Sequence, residues 1–162
     1  MSEPSPADHQ GFLGMAIAEA VRGARAGEGG PFGAVVVKDG IVIARAGNAV
    51  IAANDPTAHA EVRAIRQACA ALGSFRLDGC DLYASCEPCP MCLGAILWAR
   101  LRAVYFAATR QEAAAAGFDD AVFHATLAGD PGAAPLVREQ IPHVDAAVPF
   151  AMYLKLPGRV RY

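Results

Sequence analysis

A chain of 162 residues, 54% of them hydrophobic and with a mean hydropathy of +0.28, carries enough apolar material for a single packed core. Its net charge of −2, pI near 6.0 and scattered Lys and Arg leave no basic footprint for nucleic acid. Five cysteines, an odd number without a disulfide framework, point to a reducing compartment. The first ten residues are polar with no signal-like apolar segment, and no run reaches membrane-spanning length, so a cytoplasmic protein is expected.

Residues 11–26 carry Phe12, Ala16, Ile17, Ala20 and Val21 at helical spacing, and Gly27, Gly29 and Gly30 stop that helix. Residues 32–37 and 41–46 are β-rich runs around Asp39-Gly40, a hairpin signal. The turn cluster Asn54-Asp55-Pro56-Thr57 precedes Ala60, Ala64, Ile65, Ala68 and Leu72, which places His59 and Glu61 in the first turn of a helix. A strand over 81–85 leads to a helix that starts at Glu87-Pro88, with Pro88 at its first position, and runs through Leu93, Ile96, Leu97 and Trp98. A strand at 103–106 and a helix at 111–116 follow, then a Gly-, Pro- and Ala-rich linker at 128–135. This order predicts one α/β domain over residues 1–162, with helices on both faces of a mixed sheet.

The chemistry is concentrated in His59-Ala60-Glu61 and Pro88-Cys89-Pro90-Met91-Cys92. One imidazole and two thiols are the donor set of a catalytic Zn²⁺ with one open position, where water binds and ionises near neutral pH. Cys89 and Cys92, three apart, share one face of a helical first turn, whose dipole favours thiolates. Glu61 points away from His59 and is placed as acid–base group, not ligand. Two other readings are available: a redox CxxC pair leaves the His-x-Glu unexplained, and a ferredoxin-type run from Cys86 needs a cysteine where Ile96 stands. Cys69, Cys80 and Cys86 are read as structural or unassigned, and His9, His124 and His143 as surface or core histidines.

The H-x-E and P-C-x-x-C pair resembles the cytidine deaminase superfamily, which implies a three-layer α/β/α sandwich. Within it the chain looks most like the bacterial guanine deaminases. The segments that carry this likeness are Asn54 to Glu61, SCEPCPMC from Ser85, Trp98-Ala99-Arg100, and Ala116-Gly117-Phe118-Asp119-Asp120. The resemblance implies zinc-dependent hydrolysis of guanine to xanthine and ammonia. It further implies that Asn48 hydrogen-bonds the purine, that Phe32 and Trp98 wall the pocket, and that Asp120 sits by the reacting amino group. In that family the C-terminal segment, here about residues 136–162, is exchanged within a homodimer, which would bring Tyr162 to the partner's site. From the residues alone, Asn48 reads as a turn asparagine, Trp98 equally as core packing, and Asp119-Asp120 as a turn or cap. A backbone amide near Ala60, at a helix N-terminus, is placed to hold the base edge. Pro157-Gly158 argues against a helix that continues to the chain end. A tRNA adenosine deaminase is the alternative from the shared zinc motif, opposed by the charge and by GFDD; cytosine, guanosine and aminotriazines stay open as small substrates.

Overall fold

Ser5 opens the first helix, α1 (Pro6–Arg25), through a reciprocal capping box with Asp8 and a proline at the helix start. The helix therefore begins five residues before the start expected at residue 11. The computed structural model describes residues 4–130, 132 and 136–160. Strands β1 (Gly33–Lys38) and β2 (Ile41–Gly47) form the hairpin, with Asp39 and Gly40 both at positive φ. A short helix α2 (Val50–Ala53) leads into α3 (Ala60–Leu72), strand β3 (Cys80–Cys86), helix α4 (Pro90–Trp98), strand β4 (Ala103–Ala108) and helix α5 (Arg110–Ala115). Helices α6 (Ala121–Leu127) and α7 (Val148–Lys155) complete the described chain.

The four strands lie in the order β2-β1-β3-β4. β1 is antiparallel to both β2 and β3, and β3 is parallel to β4, so the sheet is mixed. Alternation along β1 sends Ala34 and Val36 to one face and Val35 and Val37 to the other. The first pair joins Leu82, Ala84, Ala60, Ala64, Ala68 and Ile96 in the larger core under α3 and α4. The second pair packs with Tyr83 against Ala16 of α1. This is the expected three-layer α/β/α sandwich, the cytidine deaminase-like fold. None of the described helices is long and apolar enough to cross a membrane.

Two further helix starts differ from expectation, and both of these differences matter to the site. Pro90, not Pro88, occupies the first position of α4, so Cys89 becomes its N-cap. His59 likewise is the N-cap of α3, with extended backbone (φ −65, ψ 152), just outside the helix. Two prolines two residues apart offered alternative starts, and the second one won.

Beyond α6 the described chain buries nothing. Every described residue from 136 to 160 is exposed, among them Val137 (89%), Val144 (93%) and Phe150 (73%). Helix α7 ends at Lys155, and Gly158 follows Pro157 with φ of 72°, so the helix does stop before the chain end.

Candidate active site

The two N-cap residues bring the metal donors together. The Nδ1 of His59 lies 3.6 Å from the Sγ of Cys89 and 3.4 Å from the Sγ of Cys92, and all three donor atoms fall within 4.8 Å of one another. A tetrahedral zinc with ordinary Zn–N and Zn–S bonds holds its ligand atoms about 3.5–3.8 Å apart, a spacing close to that of the His59 nitrogen from both sulfurs, so the donor set fits that ion. The thiol electrostatics agree. A hydrogen bond from Cys92, helped by His59, brings the Cys89 thiol down to about 4, against the opposing effect of burial. Cys92 is pushed up by sharing that proton with Cys89 and by burial, and His59 is raised by its bond to Cys89.

Glu61 stands beside this cluster without belonging to it. It is buried to 7% exposure, and burial raises its carboxyl above the ordinary range. A carboxyl that holds a proton more readily than usual suits proton transfer better than metal ligation.

His59, Glu61 and Cys89 line a cavity of about 390 Å³. Its wall is made by Phe32 and Phe118, whose rings meet edge to face at 86° with centroids 5.0 Å apart. Asn48, 4% exposed, lines it from the end of β2. Asp120 lines it from the cap position of α6, with its Oδ2 3.2 Å from Nε2 of His124. His124, expected as a surface or core histidine, is therefore tied to a pocket residue. His9, similarly, holds the hydroxyl of Tyr83 at 3.1 Å.

Of the residues put forward from sequence, the structure gathers Phe32, Asn48, His59, Glu61, Cys89 and Asp120 around one cavity, with Cys92 behind them. Ala60 is the first residue of α3, but it is fully buried and is not among the residues that line the cavity, so the structure does not bring it to the site. Trp98 does not reach the cavity. It is 62% exposed and borders a separate shallow groove with Val62, Ile65, Phe75 and Ala95. The reason is helical geometry: Trp98 is nine residues from Cys89, a rotation of about 180°, and about 9 Å along the axis beyond Cys92. Tyr162 lies outside the described residues. Phe118 and Cys86 are among the lining residues given no role from sequence; Cys86 points its thiol at the carbonyl of Thr109, 3.5 Å away. Phe118 was visible inside the quoted GFDD segment, but only the Phe32 contact shows what its ring does.

Three nitrogen and sulfur donors, a free buried carboxyl and an adjoining cavity define a metal-assisted hydrolase site. Residues 6–108 match the cytidine and deoxycytidylate deaminase zinc-binding region, and the chain belongs to that family. It is 60% identical over 117 residues to the guanine deaminase of Bacillus subtilis (strain 168), covering 72% of this chain and 75% of that one. It is 51% identical over 102 residues to the tRNA-specific adenosine deaminase of Agrobacterium fabrum, covering 63% and 66% respectively. The X-ray structure of guanine deaminase from Bacillus subtilis superposes with a TM-score of 0.91 at 48% identity, over 95% of this chain and 98% of that one. A structure from a study of tRNA:A34 deaminases superposes at 0.60 with 50% identity, over 62% and 72%.

Proposed function

We propose that the chain is a zinc-dependent guanine deaminase, converting guanine and water to xanthine and ammonia as a step of purine breakdown in the cytoplasm. The extent of the structural likeness carries the choice of substrate. Identity to the guanine and tRNA deaminase structures is nearly equal, yet the first likeness covers 95% of this chain and the second 62%. The cavity wall agrees, because Phe118 comes from α5–α6, beyond the matched zinc-binding region, and with Phe32 frames a slot for a planar base.

His59, Cys89 and Cys92 hold the zinc, which when bound lowers the pKa of water towards ~7. Glu61 takes the proton released as the water oxygen bonds to C2 of guanine, and delivers it to ring nitrogen N3. The same carboxyl then takes the proton of the new C2 hydroxyl and carries it to the exocyclic amine, beside which Asp120 stands, and ammonia departs as the C2–N bond breaks and the C2 carbonyl forms. Asn48 hydrogen-bonds the base. Burial keeps Glu61 apart from bulk water, so the proton it carries is exchanged with the substrate.

The same reading makes the protein a homodimer with exchanged C-terminal segments, in which Tyr162 closes the partner's cavity. Exposed Val137, Val144, Phe150 and Leu154 support it, since that much unburied apolar surface in one segment calls for a covering partner. Ammonia release from free guanine, cytosine, adenine, guanosine, aminotriazines and a tRNA tests the substrate. Guanine turnover with kcat/KM above ~10⁴ M⁻¹s⁻¹ is expected, and inert guanine beside another active compound overturns the assignment.

A further inference from the structure

Asn48 is held by its oxygen. Its Oδ1 accepts from the backbone N–H of Gly30 at 3.2 Å and from that of Val50 at 3.1 Å. Two N–H donors on one atom settle which end of the amide is oxygen. The Nδ2 group has no partner among the described residues, and it is not a sealed, unsatisfied atom either. Since Asn48 lines the cavity and is 4% exposed, that NH₂ is available to the cavity's contents.

Gly29 closes the other side of this arrangement. A Cβ at Gly29 would lie 2.1 Å from Oδ1 of Asn48 and 3.1 Å from its carbonyl carbon. The backbone of Gly29 is not left-handed, so the glycine is required by this contact and not by its φ. The surrounding loop is braced: Arg22 grips Glu28 with two bonds of 2.7 and 3.1 Å, the Glu28 carbonyl accepts from Ala52 N–H at 2.9 Å, and Arg63 donates to the Gly47 carbonyl. Asn48 cannot retreat from an added methyl without giving up both N–H bonds.

We propose that Gly29 is a positioning residue which locks the Asn48 amide with its NH₂ towards the ligand, so that the pocket selects a base presenting a hydrogen-bond acceptor there. The proposal rests on the guanine reading and deepens it: guanine carries carbonyl and ring-nitrogen acceptors. A locked donor rejects a base edge that offers only N–H groups, because two donors then face each other without water.

The test compares the wild-type enzyme with Gly29→Ala, Asn48→Ala and Asn48→Asp, reading KM and kcat for guanine, zinc content and melting temperature. Gly29→Ala should raise KM roughly 10- to 100-fold while kcat stays within about threefold and zinc is retained. Asn48→Asp keeps an oxygen for the Gly30 and Val50 N–H groups and turns an acceptor to the ligand. It should melt close to the wild type yet raise KM at least as much as Asn48→Ala, which loses the loop anchor and melts lower. A purely structural role for Asn48 predicts the reverse, with Asp restoring KM. Wild-type KM in Gly29→Ala or in Asn48→Asp overturns the proposal alone. A wild-type chain that releases no ammonia from guanine overturns the substrate reading with it.

Discussion

Glu61 and Cys89 are neighbours with opposite tasks, and single substitutions separate them. Glu61→Gln keeps the shape and polarity of a buried side chain but cannot carry a proton. It should hold about one zinc per chain while kcat falls ~10²–10⁴-fold, read by elemental analysis beside steady-state kinetics. Zinc loss in this variant would make Glu61 a ligand. Cys89→Ala, by contrast, removes one of three donors and should lose metal and activity together; full zinc occupancy in that variant would remove Cys89 from the donor set. The donors were legible because chemistry and spacing coincide in two short motifs. Trp98 was misplaced for a reason also present in the sequence, its half-turn offset from Cys89. The orientation of Asn48 was not legible, because it depends on an N–H eighteen residues away and on the space left by a glycine.

Elements are fitted closely where small residues permit it. At Gly33 an added Cβ would lie 2.0 Å from the Ala16 carbonyl oxygen and 2.6 Å from the Ala20 nitrogen, so α1 rests on the start of β1 backbone to backbone. Gly33→Ala should cost about 1–3 kcal/mol in urea unfolding, and unchanged stability would mean that α1 can slide. Tyr83, fully buried between α1 and the sheet, has its hydroxyl pushed up to about 12 by burial and by nearby Asp81. The unfolded chain loses that proton near 10, so the contribution is complete below pH 10 and is lost as pH rises towards 12. Tyrosinate absorbance and unfolding free energy followed over that window check this; a Tyr83 that ionises with the exposed tyrosines contradicts it. β1 was recognisable as a strand from its β-rich content, although both its faces are covered and polar alternation is absent. The early start of α1 was missed because a capping box, not apolar periodicity, sets it.

At the scale of the whole molecule, the distribution of apolar surface is uneven. The sandwich buries its alanine- and valine-rich interior, whereas described residues 136–160 leave Leu136, Ile141, Val144 and Phe150 at 72–93% exposure. A segment of this composition has no core of its own, and its shape is matched in the guanine deaminase superposition that spans 95% of the chain. In the homodimer proposed above, exchange between two copies would bury it without a new fold and would bring the chain end to the other copy's cavity. Removing the last few residues should then cut turnover without removing zinc. Co-expression of two inactive chains separates the geometries: one full-length with Glu61→Ala, the other with Glu61 intact but no tail. In an exchanged dimer the first chain lends its Tyr162 to the site that still has Glu61, and the mixed dimer regains activity. Capping within one chain gives no rescue, because no single chain then carries both parts. Activity in the mixture, measured as ammonia release and compared with each parent, decides between them; a protein that is monomeric at micromolar concentration would also rule out exchange.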